Sequence, residues 1–156
     1  MLTNWDLENE AFKYRLPLIG VFNKDQIPRT LKNGFYIINL QDDFDSRGND
    51  LPGSHWTVFY IEGKDAIYFD SFGFAPPVEV QNFLKPFVPY PYNRQIIQSI
   101  SSTVCGKYVL YFMMFMYYNR NRIRNVRKRF DMFLKLWSPD VSKNRELLLK
   151  YLSQIK

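Results

Sequence analysis

Cys105 is the only cysteine of the chain and His55 its only histidine. Together they are the minimum that thiol chemistry needs: a sulfur that attacks as thiolate and a base that takes its proton. Cys105 stands where the polar run Gln98-Ser-Ile-Ser-Ser-Thr-Val gives way to the apolar Tyr108-Val-Leu-Tyr-Phe-Met. That change predicts a helix opening at the cysteine. A helix N-terminus favours thiolate, because unsatisfied N–H groups and the positive end of the dipole face the sulfur. A lone cysteine is more commonly a small buried hydrophobe, so the reactive reading requires an orienting acid and an oxyanion donor.

The acid follows from a turn. Residues 54–62 and 65–70 read as two strands around Glu62-Gly63-Lys64-Asp65, a hairpin. With Gly63 and Lys64 as the turn, paired residues sum to 127, so Thr57 faces Asp70 and His55 faces Phe72. His55 and Asp70 then share a face as diagonal neighbours, roughly 7–8 Å apart at the backbone, a gap their side chains can close. Asp70 would hold one ring nitrogen and aim the other at the thiol. A three-residue bulged loop would shift this register and break the assignment. Gln98 supplies a neutral amide able to donate to an oxyanion, with the Cys105 N–H as second donor and Gln95 as the competing side chain. Nucleophile, base, orienter and oxyanion donor are the roles that acyl transfer through a thiol requires. Trp56, beside the histidine, is expected to wall the cleft and to leave a narrow slot for small residues before the scissile bond.

The elements that must position these groups can be read around them. Thr3 to Arg15 reads as a helix, with capping-box spacing between Thr3 and Asp6, and Pro17 ends it. A linker runs through Pro28, and Gly34 to Leu40 reads as a buried strand. Residues 42–52 are polar and loop-like. After the hairpin, Pro76 and Pro77 open a helix to about Lys85, prolines 86, 89 and 91 force extended chain, and Arg94 to Gln98 reads as a short strand. The core helix from Gly106 carries Val109, Phe112, Met113 and Met116 at helical spacing. A second helix is expected over about Asn121–Trp137, and a last one from Asp140 or Ser142 through Leu152. The predicted fold is α+β: a small, mostly antiparallel sheet packed on helices, in a single domain over 156 residues.

The run Arg120-Asn-Arg122-Ile-Arg124-Asn-Val-Arg127-Lys128-Arg129 holds six cations and no acid, in a chain of net charge +6. On a helix, Arg120, Arg124, Arg127 and Lys128 would form one outward stripe, suited to phosphates without sequence reading. Such a stripe is also what a solvated helix face looks like. One cysteine leaves no internal disulfide and no cysteine cluster for a metal, which fits a reducing, intracellular setting. The longest apolar run, Tyr108 to Tyr118, is too short to span a bilayer. No membrane partner and no required cofactor are expected.

At the site residues the sequence resembles the adenovirus-type maturation proteases, the adenain-like members of the cysteine-protease clan that also holds the SUMO-specific proteases. The resemblance rests on the order His55, Asp70, Gln98, Cys105; on Gly53-Ser54-His55-Trp56; on Phe69-Asp70-Ser71-Phe72-Gly73-Phe74; and on Cys105-Gly106 opening an apolar helix. Weaker similarity reaches back through Pro17-Leu-Ile-Gly-Val-Phe-Asn-Lys24 and Phe35-Tyr-Ile-Ile-Asn39. Asp70 stands where the adenovirus enzymes have Glu, as in the SUMO-protease branch, and the extra cysteine that binds their activating peptide is absent. The resemblance implies an adenain-like fold, a viral endopeptidase that matures capsid precursors at glycine-containing sites, DNA as an activator, residence in the virion or the host cell, and origin in a virophage or polinton-like element. The alternatives are a deconjugase of ubiquitin-like proteins or an acetyltransferase of the same clan, and a catalytically silent nucleic-acid- or capsid-binding module.

Overall fold

The computed structural model describes residues 2–40, 55–99 and 105–155. The polar run 42–52, Gly53-Ser54 and most of the stretch between Gln98 and Cys105 lie outside the described residues.

The first helix, α1 (Asn4–Lys13), starts where the sequence places it. Thr3 accepts from the Asp6 N–H while the Asp6 carboxylate accepts from the Thr3 N–H, so two orphan donors are satisfied reciprocally. Four strands follow in sheet order β1 (Leu18–Asn23), β2 (Gly34–Asn39), β3 (Trp56–Glu62) and β4 (Asp65–Phe69). β2, β3 and β4 run antiparallel, and β1 lies parallel to β2. β1 corrects the expected linker. As an edge strand half-buried along its whole length, it lacks the apolar and polar alternation that marks a strand in sequence, and its pairing is irregular between Leu18 and Gly20. The sheet is therefore mixed, and the fold is α+β.

Both faces of the sheet are covered, which is why β2 reads as a continuous apolar run. Phe35 and Ile37 point with Val58, Tyr60, Ile67 and Phe69 into the larger core, against α1, α3 (Cys105–Tyr118), α4 (Val126–Leu134) and α5 (Asn144–Ser153). Tyr36, Ile38, Phe59 and Tyr68 point the other way, under α2 (Val78–Phe83) and Leu84. Phe69 stacks on Phe112, with ring centroids 5.0 Å apart, and meets Phe133 edge-on. The β4 end is thereby fixed against the helix that begins with Cys105.

Two expected elements differ. Arg94 to Gln98 forms no strand: its polar groups are held by side chains and by the Ser71 carbonyl, and the nearest ladder contact is a lone bridge between Tyr68 and Tyr92. The helix expected over 121–137 is shorter, because Asn125 caps it by accepting from the Lys128 N–H. Residues between α3 and α4 form a turn rather than a helix.

Candidate active site

The hairpin register is the one the sequence implies. Val58 pairs with Phe69 and Glu62 with Asp65, each summing to 127, and Gly63 occupies the left-handed region (φ +63°) that a two-residue turn demands. The same register continues past the strand ends. The His55 carbonyl accepts from the Leu40 N–H, so His55 sits at the mouth of β3. Its ring stacks on Phe72, with centroids 4.1 Å apart and planes 15° apart.

His55 and Asp70 meet directly, with Nε2 2.7 Å from Oδ1. An ionised carboxylate only accepts, so Nε2 carries the hydrogen and Nδ1 is the basic nitrogen. Asp70 is fully buried, and Oδ1 also accepts from the Phe72 N–H at 2.8 Å, a local turn that fixes the carboxylate before the histidine reaches it. Asn93 clamps the Asp70 main chain on both sides, accepting from its N–H and donating to its carbonyl. Gly73 (φ +79°) lets the chain leave this turn. A side chain there would lie 2.9 Å from the carbonyl oxygens of Arg94 and Gln95.

Cys105 opens α3 and is 4% exposed. Burial alone would raise its pKa, but the His55 side chain and then the N–H groups of Trp56 and Gly106 outweigh burial, and the thiol is lowered. Burial likewise opposes charge on His55. Asp70, and then Cys105, overcome it and raise the imidazole to about 9. The two shifts have the same meaning: thiolate and imidazolium stabilise one another. Nδ1 is buried, and the Cys105 sulfur is near enough to the imidazole for each to shift the other.

Gln98 is buried, and Ser71 holds it by side chain and main chain. Gln95 is half-buried and takes part through its carbonyl, which accepts from Asn93. Trp56 is 2% exposed, and its indole N–H donates to the Leu2 carbonyl at 3.2 Å. It therefore lies beneath the N-terminal segment, next to Gly106. Phe72 lies against His55 as the register implies, whereas Ser71 and Asn93 are the site neighbours that sequence reasoning missed. The Asp70-Ser71-Phe72-Gly73 turn was visible, but not that residues 93–98 fold back onto it.

The basic residues divide. Arg122, Arg124, Arg127 and Lys128 are exposed and Arg120 is half-buried. Arg122, Arg124 and Lys128 line a shallow cavity of about 430 Å³ with Ile123, Asn125 and Met132. Arg129 leaves the group: it is fully buried, pairs with Glu62 at 3.2 Å and donates to the carbonyls of Met116, Arg120, Ile123 and Arg124. It cannot contact a polyanion. The expected helical stripe is also corrected, because Arg120, Arg122 and Arg124 lie on the turn before α4.

Among the described residues no group of three or more His, Cys, Asp or Glu could hold a metal ion, and no helix is long and apolar enough to cross a membrane. No protein-family model matches the sequence, and no curated protein matches it. Among solved structures the chain is similar to the crystal structure of the ASFV pS273R protease at 16% identity and a TM-score of 0.49, covering 83% of this chain and 64% of that one. A selenomethionine form of the same protease matches at 20% identity and a TM-score of 0.39, over 72% of this chain and 57% of that one. The chain thus spans less than two thirds of the protein it is similar to.

Proposed function

We propose that the chain is a thiol endopeptidase, with Cys105 as nucleophile, His55 as base and acid, Asp70 as orienter, and Gln98 with the Cys105 N–H as oxyanion donors. The observation that carries this reading is the His55–Asp70 contact together with the mutual shift of His55 and Cys105. The Cys105 thiolate adds to the scissile carbonyl carbon and the oxygen takes the negative charge, facing the oxyanion donors. The C–N bond then breaks, and the leaving amine takes the proton held at His55 Nδ1. Water, deprotonated by the now neutral imidazole, attacks the thioester, releases the acid and regenerates the thiolate.

Capsid precursors are the proposed substrates and the virion or host cell the proposed place of action, both from the resemblance of the motifs. DNA is the proposed activator, supported by the exposed cations Arg122, Arg124, Arg127 and Lys128. The purified chain, incubated with candidate capsid precursors beside a Cys105→Ala control, should release defined fragments only when the thiol is present. A deconjugase would instead cleave only fusions to ubiquitin-like proteins, and a silent module would alkylate Cys105 slowly at mildly acidic pH.

A further inference from the structure

We infer that Ser71 is a positioning residue of the oxyanion hole, holding the Gln98 amide in place for the reacting carbonyl. The inference rests on the thiol-protease reading and adds to it a residue with no role in the nucleophile, base or orienter.

A glutamine side chain is a donor at Nε2 and an acceptor at Oε1, and the two ends exchange places by one rotation. Only Nε2 can stabilise an oxyanion; Oε1 in its place would repel the developing charge. A side chain that swings loses the effect, so it must be held. Ser71, itself 1% exposed, donates from Oγ to Gln98 Oε1 at 2.5 Å. Its carbonyl accepts from the N–H groups of Ile97 and Gln98, each at 2.9 Å. One residue thus grips Gln98 by main chain and side chain. Both partners are buried, so water does not compete for this contact.

The placement has a second consequence. Asp70 orients the base and Ser71, the next residue, orients the oxyanion donor, while Asn93 locks the Asp70 main chain and reaches the Gln95 carbonyl. Base and oxyanion donor are therefore registered to one dipeptide, although they come from β3 and from the irregular segment before α3.

The test is a double-mutant cycle on Ser71→Ala and Gln98→Ala, read by steady-state cleavage and by the rate of Cys105 alkylation with iodoacetamide. Ser71→Ala is expected to lower kcat tenfold or more, at nearly unchanged KM and alkylation rate, up to the roughly hundredfold loss of an absent donor. In the Gln98→Ala background it should cost less than about twofold, since the group it positions is gone. Ser71→Thr keeps the hydroxyl and should hold kcat within about threefold. It also covers the case in which Ser71→Ala fails to fold, because a threonine enzyme as slow as Gln98→Ala overturns the assignment. A Ser71→Ala loss of equal size in both backgrounds, or one mirrored by slower alkylation, reduces Ser71 to general scaffolding. Unchanged kcat in Ser71→Ala, beside active wild-type chain, overturns the inference alone. Absence of any Cys105-dependent cleavage overturns the protease reading and the role of Ser71 with it.

Discussion

Two webs of buried polar residues lie at opposite ends of the β3–β4 hairpin, and they differ in one respect. Around Arg129, next to the turn, every donor is taken: Nε and both terminal nitrogens meet Glu62 or the carbonyls of Met116, Arg120, Ile123 and Arg124. Around Asp70, at the open end, two buried atoms, His55 Nδ1 and Asp70 Oδ2, have no nitrogen or oxygen partner among the described residues, and the group that acts on His55 from that side is the Cys105 thiol. A saturated web holds a fold together. A web that offers a buried nitrogen only a thiol, a weak hydrogen-bonding group, carries a cost in stability that scaffolding does not explain, and proton transfer does. Saturation, more than burial or charge, separates the staple from the site.

The sharpest break of that comparison is at the thiol. Cys105→Ala and His55→Ala should each abolish cleavage while the melting transition remains cooperative, because the pair acts as a unit and its losses do not add. Asp70→Ala should lose less than either, since it orients rather than reacts. Comparable turnover in Cys105→Ala would end the protease reading.

Arg129→Ala should do the reverse. Removing the cation unpairs Glu62 and leaves four carbonyls without their donor, at a cost of about 2 kcal/mol or more in unfolding free energy, read as a lower denaturant midpoint. The folded fraction should still alkylate Cys105 at the wild-type rate. Preserved stability would show that the web is dispensable and the contrast false.

Gln98→Ala should lower turnover by roughly a hundredfold, with little change in substrate binding. The same loss in Gln95→Ala, with Gln98 silent, would move the donor three residues upstream.

The pH profile tests the electrostatics of the open web. Cleavage needs thiolate and imidazolium together, so activity should fall on the alkaline side as His55 loses its proton near pH 9, with the acid limb set by the lowered thiol. The sign for stability follows. The folded-state pKa of His55 lies above its ordinary 6.5, so its contribution is complete below that value and is lost as pH rises through about 9. A histidine titrating by NMR near 6.5 would contradict the pair.

The contrast also marks what could be read from residue types. The hairpin register was legible, because Gly63-Lys64 can make a tight turn and strand pairing is arithmetic once the turn is known; it delivered His55 to Asp70. The capping boundary at Thr3 was legible for the same reason, since local chemistry decides it. β1 was hidden because edge burial erases its alternation. Arg129 was misplaced because its neighbours in sequence are surface cations, and only the return of the chain from α3 to α4 beside Glu62 takes it inside. Ser71 and Asn93 depend on the non-local fold of residues 93–98, for which the sequence carries no periodic signal.

The smallest effect belongs to the cations that remain outside. Arg120 lies 3.8 Å over the Tyr117 ring, Arg127 donates to the Pro89 carbonyl and Arg122 is held by Asn119, so each must be drawn from a local partner before it can meet a phosphate. Arg122, Arg124 and Lys128 share one cavity and are the group best placed to do so. Replacing these three with Gln should weaken DNA binding for every sequence alike, and should reduce the slope of log affinity against log salt by about one per residue removed. Cleavage of a short free peptide should be unchanged, whereas cleavage of a DNA-bound precursor should slow, since a shared polyanion acts by raising effective concentration. Arg129→Ala, judged on folded protein, should leave that slope untouched. A slope that falls as much on losing Arg129 as on losing Lys128 would place the buried arginine back on the surface and dissolve the distinction between the two webs.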